Sequence, residues 1–114
     1  MAMAFIPMMQ QQGGGNIVNV SSGAGSLNDM TPGTPAYSIS KAAMNVLTIQ
    51  LAAEVANDGI LVNAVCPGWV RTEMGGQAAP RSPQEGAAGI VWLAELETGG
   101  PTGKFWRDGE EIAW

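Results

Sequence analysis

No histidine occurs in this sequence of 114 residues. Ser-His-Asp and Cys-His catalysis, and every histidine metal site, are therefore excluded. Cysteine is represented once, by Cys66. One thiol allows neither an internal disulfide nor a thiolate zinc site, a usage that suits a reducing cytoplasm. Positive charge is also scarce, with five Lys and Arg against ten Asp and Glu and a net charge of −5. A nucleic-acid partner would want a basic face, so none is expected. The apolar opening Met1–Met9 lacks a basic flank and soon meets Gln10–Gln12. It is too short to cross a bilayer and does not resemble a signal peptide, so no membrane association is expected. The sequon Asn19-Val20-Ser21 falls inside a predicted strand and is read as accidental. What remains is an acidic, soluble, cytoplasmic chain, 46% hydrophobic, of ordinary single-domain length.

Punctuation by glycine and proline divides the chain. Ile17–Val20 is short, β-branched and bounded by glycine and serine, which predicts a buried strand. Ser21–Pro35, with three glycines and two prolines, is loop. Thr34-Pro35 reads as an N-cap with proline at the first helical position, opening a helix over Ala36–Asn57 that Gly59 would cap. That helix is apolar on more than one face, with Ala43, Leu47 and Leu51 on one side and Met44, Ile49, Ala52 and Val55 on others. It should need cover on both sides. Ile60–Cys66 predicts a second buried strand, ended by Pro67-Gly68. Ser82-Pro83-Gln84-Glu85 is a capping box opening a helix to about Glu97, in which Gly86 and Gly89 permit close packing. Lys104–Arg107 predicts a third strand, followed by a turn at Asp108-Gly109 and a tail. Alternation of this kind predicts an α/β fold, one βαβαβ unit with a parallel sheet, in which ligands sit at the carboxyl ends of the strands.

No glycine-rich phosphate cradle is visible. Gly23-Ala24-Gly25 follows a strand, but Pro32 and Pro35 prevent a helix from opening there, and Gly13–Gly15 precedes a strand. The stronger signal is Tyr37-Ser38-Ile39-Ser40-Lys41. Tyr37 is the single tyrosine, and Lys41 lies one helical turn on, facing the same way. A phenol is a poor acid at neutral pH, and an adjacent ammonium favours its ionised form. Such a tyrosine would lend a proton to a substrate oxygen, which the Ser22 hydroxyl would help to hold. A surface Tyr–Lys pair beside a loop serine is the plainer alternative.

Three blocks together, Asn19-Val20-Ser21-Ser22, Tyr37–Ala43 and Val62–Thr72, resemble the second half of a short-chain dehydrogenase/reductase, in family order and spacing. Arg81-Ser82-Pro83 and the ending Phe105–Gly109 are similar to carbonyl-reductase-like members. The resemblance implies a Rossmann-like three-layer fold and NAD(P)H-dependent reduction of a carbonyl to an alcohol. It implies that Ser22 polarises the substrate carbonyl, that Tyr37 is the proton donor, and that Lys41 assists Tyr37 and binds the nicotinamide ribose. Pro67, Gly68 and Val70 would line the nicotinamide and Thr72 would lie near the carboxamide or pyrophosphate. NADP is the implied cofactor, with NAD as the alternative, and no metal is involved. The family's first half, with its TGxxxGxG turn, adenosine-selecting residue and catalytic asparagine, has no counterpart here, and Asn45 and Asn63 fall in the wrong blocks to replace that asparagine. Residues 1–114 are thus expected to be a C-terminal half, inactive alone. The implied partners are a small carbonyl substrate and either further copies of the chain or a complementary N-terminal half. A non-catalytic interaction module derived from the fold, or one half of a split enzyme, are the competing readings.

Overall fold

The computed structural model describes residues 2–114. Its elements are α1 (Ala2–Gln12), β1 (Gly15–Val20), α2 (Pro35–Glu54), β2 (Ile60–Val65), α3 (Pro83–Ala94), β3 (Phe105–Arg107) and β4 (Glu110–Ile112), with short 3-10 turns at Gly23–Gly25 and Ala56–Asp58. The four strands form one sheet in the order β1-β2-β3-β4. β1 pairs with β2 in parallel along its whole length, Gly15 opposite Ile60 and Val20 opposite Val65. β2 pairs with β3 in parallel. These are the expected crossovers. β4 departs from the expected tail: it is an antiparallel edge strand, with Arg107 opposite Glu110. The cause is local: Asp108 and Gly109 both take positive φ, 53° and 77°, the conformation of a tight hairpin turn whose twist suits the flanking strands.

Residues of β2 alternate between the two helical layers, and every one of them is buried. Ile60 and Val62 pack with Ile17 of β1, Ile6 of α1, and Leu51, Ala52 and Val55 at the end of α2. Farther along the same face, Ala64 and Cys66 pack with Phe105, supported by Ile112 and Trp114. On the opposite face Val65 approaches Gly89 of α3, and Trp106 meets Trp92 edge-on at 5.2 Å between ring centres. The sheet therefore lies between α1 and α2 on one side and α3 on the other.

Helix boundaries depart from expectation for reasons that lie elsewhere in the chain. α2 stops at Glu54, and its continuation tightens into the 3-10 turn before Gly59, which does take the left-handed conformation. Thr34 precedes Pro35 as expected, but its side chain makes no capping hydrogen bond. The inward face of α2 is Ser38, Asn45, Thr48, Leu51 and Ala52, whereas Leu47 and Ile49 are exposed and Ala43 faces solvent. Polar groups pack inward there because the sheet supplies partners: Asn19 Nδ2 donates to Thr48 Oγ1 at 2.9 Å. α3 begins with the expected capping box at Ser82 and Glu85 but ends at Ala94. Asn16 of β1 donates through Nδ2 to the carbonyls of Leu93, Ala94 and Leu96 at 2.8–3.1 Å, satisfying groups that any helix end leaves open. Among the described residues no helix is long and apolar enough to cross a membrane.

Candidate active site

β1 and β2 run parallel and end side by side, so the segments after Val20 and after Val65 meet at one edge of the sheet. Ser21 and Ser22 leave β1 there. Ser21 is buried, and its Oγ donates to the Lys41 carbonyl at 3.3 Å. Ser22 has the more open position and opens the 3-10 turn, its Oγ accepting the Ala24 N–H at 3.1 Å. Of the two serines, Ser22 presents the freer hydroxyl. Gly25 in that turn is buried against α2, where an added Cβ would fall 2.7 Å from the Lys41 backbone carbon. Glycine is required for this close approach, which sets the serine turn directly on the helix that carries Tyr37 and Lys41.

Ser22, Tyr37, Pro67 and Gly68 line one cavity of about 370 Å³, together with Gly23, Cys66, Trp69 and Arg107. Val70 and Thr72 line an adjoining cavity of about 510 Å³ that shares Tyr37, Pro67, Gly68 and Trp69. Lys41 is outside both linings. Its Nζ lies 5.6 Å from the Tyr37 ring centre and donates to the Val20 carbonyl at 3.3 Å. All seven residues singled out in the sequence thus gather at the carboxyl ends of β1 and β2. Val70 also serves packing, because its methyl groups occupy the space left by Gly86 of α3. Asn63 is a structural hub: its amide donates to the Pro101 carbonyl and its Oδ1 accepts from Lys104 N–H and Trp106 Nε1.

Arg81 braces the Pro67–Gly68 wall. Its guanidinium donates to the Pro67 carbonyl at 3.2 Å and makes two 2.6 Å hydrogen bonds to Asp108. Gly68 takes φ +81°, and a Cβ there would meet Arg81 Nε at 2.7 Å. The paired hydrogen bonds from Arg81 hold the Asp108 carboxyl below the usual carboxylate range, and raise Arg81 in turn. Trp69, which lines both cavities, and Arg81, which braces their wall from behind, carry no sequence signal for these roles. Arg107, by contrast, follows from its place at the carboxyl end of a predicted strand, where ligands of such sheets sit.

The two joined cavities are of a size that takes part of a cofactor and a small substrate. Their walls, a proline–glycine turn, a valine and a threonine, suit a flat apolar ring with a polar substituent, so the residues present fit the nicotinamide end of a dinucleotide. No glycine-rich turn opening a helix is present among the described residues to take its phosphates.

Comparison with known proteins identifies the family to which the chain is similar. The short chain dehydrogenase family matches residues 1–82. Carbonyl reductase [NADPH] 1 of Sus scrofa is 44% identical over 84 residues, which is 68% of this chain and 29% of that protein. The Oryctolagus cuniculus protein of the same name is 47% identical over 92 residues, 74% of this chain and 33% of that one. Among solved structures, carbonyl reductase Sniffer of D. melanogaster superposes with a TM-score of 0.85 at 31% identity, covering 99% of this chain and 51% of that one. An NADPH-bound carbonyl reductase from chicken fatty liver gives 0.84 at 32% identity with the same coverage. The chain spans about a third of the length of its curated relatives.

Proposed function

The chain belongs to the short-chain dehydrogenase family, and on that footing we propose that its site reduces a carbonyl to an alcohol with NADPH, Tyr37 being the proton donor. The observation that carries this is the meeting of Ser22, Tyr37 and the Pro67–Gly68 turn around one cavity, with the Lys41 ammonium beside the Tyr37 ring. When bound, the reduced nicotinamide supplies the hydride. Ser22 donates a hydrogen bond to the carbonyl oxygen and fixes it within reach of Tyr37. Tyr37 gives its phenolic proton to that oxygen as charge develops there. Lys41 places a positive charge 5.6 Å from the Tyr37 ring centre, on the same side of α2. Pro67, Gly68 and Val70 shape the slot for the ring, and Thr72 offers a hydroxyl at its far end. NADP is proposed over NAD because the relatives carry it in their names. Cys66 is buried and unpaired with another thiol, which accords with a reducing, cytoplasmic setting.

Hydride transfer demands a cofactor held firmly at both ends. The 114-residue chain is therefore expected to oxidise NADPH negligibly by itself, and to do so with a carbonyl substrate when co-assembled with a family first half carrying the TGxxxGxG turn. In that assembly Tyr37→Phe should lower turnover about 10²–10⁴-fold. Unchanged turnover in Tyr37→Phe would refute the assigned role, and brisk turnover by the isolated chain would refute the need for a second half.

A second reading, an interaction module, is favoured by β1. It is an edge strand of the sheet, and such an edge offers unpaired backbone groups to another chain. The outward side of α2 adds exposed Ile39, Val46, Leu47 and Ile49.

A further inference from the structure

The cavity that holds Ser22 and Tyr37 has a cationic wall that the proposed proton transfer does not use. Arg107, the last residue of β3, lines it. Strand alternation sends Trp106 into the α3 layer and Arg107 to the other face, where its Nη2 lies against the Ser22–Gly23 turn. A Cβ at Gly23 would be only 2.9 Å from that nitrogen, so the guanidinium packs directly on the turn that Ser22 opens.

Of the other four Lys and Arg residues, Arg71 lines neither cavity and the remaining three have partners within the chain. Arg81 is bidentate to Asp108, Lys104 pairs with Glu111, and Lys41 donates to the Val20 carbonyl. Arg107 differs. Among the described residues no carboxylate lies within ion-pair distance, not even Glu110 opposite it in the hairpin. Its one polar protein contact is Cys66 Sγ at 3.6 Å, a weak acceptor. A planar fork of N–H donors is thus left open beside the groups proposed to bind a carbonyl.

We propose that Arg107 binds the carboxylate of the substrate, so that the substrate class of this site is the short oxo acids; the proposal rests on the reading of Ser22 and Tyr37 as the carbonyl-binding pair. A guanidinium matches a carboxylate through two parallel hydrogen bonds, and the match is better the less water competes. Because Arg107, Ser22 and Tyr37 share one cavity of about 370 Å³, carboxylate and carbonyl must belong to the same small molecule and lie close together in it, as in a 2-oxo or 3-oxo acid. A neutral ketone would leave the guanidinium to solvent and gain nothing from it.

The test is calorimetric titration of the purified chain with phenylglyoxylate and with its neutral methyl ester, for wild type, Arg107→Met, Arg107→Lys and Tyr37→Phe. Wild type should bind the acid about tenfold more tightly than the ester. Arg107→Met should bind both alike at the affinity of the ester, and Arg107→Lys should keep part of the preference. Raising salt to about 0.5 M should erode the preference, since the contact is ionic and partly solvated. Ester binding and an unaltered circular-dichroism melt in Arg107→Met show that the fold is intact; if that variant does not fold, the lysine variant and the salt series decide. A wild type that binds neither probe or does not discriminate between them, or a preference that survives Arg107→Met, overturns the assignment. Tyr37→Phe should keep the preference for the acid. The Tyr37 effect on NADPH oxidation therefore tests the proton-donor role separately, and either result stands or falls without the other.

Discussion

Single residues set the chemistry of the site, and they differ in how far the chain order betrays them. Tyr37 and Lys41 sit one helical turn apart, so their shared orientation follows from helix geometry alone. The resemblance in the Asn19–Ser22 block already points to Ser22, and the fold adds a physical reason: the hydroxyl of the adjacent Ser21 is spent on the Lys41 carbonyl. Arg81 and Asp108 are 27 positions apart and nothing local links them. Their ion pair yields a prediction about acid stability. Hydrogen bonds from Arg81 lower the folded-state value of the Asp108 carboxyl. The resulting stabilisation is present above the unfolded value near ~3.9 and is lost as pH falls through the lowered folded value. Arg81 stays charged across this range. Thermal melts of Asp108→Asn and wild type should therefore differ at pH 7, with the variant less stable, and converge as the pH is taken below about 4. Glu85 is lowered as well, first by the Ser82 backbone N–H, so wild type and variant share a residual acid dependence. A constant gap between the two melting curves from pH 7 to pH 2 would contradict the assignment.

Elements place those residues, and their ends matter more than their middles. The Gly23–Gly25 turn touches α2 closely enough that only glycine fits at position 25, which fixes Ser22 against the helix of Tyr37. α3 is held at one end by its capping box and at the other by Asn16. The first is written in four consecutive residues. The second joins β1 to a helix more than 75 residues away and has no local signature; with it in place the helix stops at Ala94 and not at Glu97. Asn16→Ala should remove all three hydrogen bonds and cost about 1–3 kcal/mol, read as a lower urea midpoint with an unchanged slope. A variant as stable as wild type would show that water caps α3 equally well. α2 carries the same lesson in its packing. Hydrophobic patterning offers Leu47 and Ile49 as core residues, yet Thr48 and Asn45 are buried instead, Thr48 because Asn19 of β1 donates to it and Asn45 with its amide on the Gly25 carbonyl of the 3-10 turn.

At the scale of the whole molecule the shape is elongated, 44 × 27 × 24 Å, with a radius of gyration of 14.4 Å against roughly 13 Å for a compact chain of this length. On the face covered by α1 and α2, buried apolar residues form two separate clusters. Large side chains remain exposed on α1 and α2, among them Phe5, Met8, Ile39 and Val46. Together with the edge position of β1, this predicts association. Light scattering at micromolar concentration should report a dimer or larger species, and mixing with a complementary first half should replace it with a defined heterodimer. A sharp monomer under both conditions would refute the second reading and leave the first to stand on Tyr37.

By itself the sequence determined the βαβαβ order, the presence of a Tyr–Lys pair on one helix and the loops that end each strand, since these depend on residues adjacent in the chain. It also determined that histidine catalysis, an internal disulfide and a thiolate zinc site are closed to these 114 residues. Only the tertiary structure decided which serine is free, that Arg81 steadies the Pro67 wall, and that Arg107 enters the cavity without a carboxylate partner. Those outcomes depend on which strand ends lie side by side, and parallel pairing across long crossovers brings together groups whose separation along the chain carries no signal.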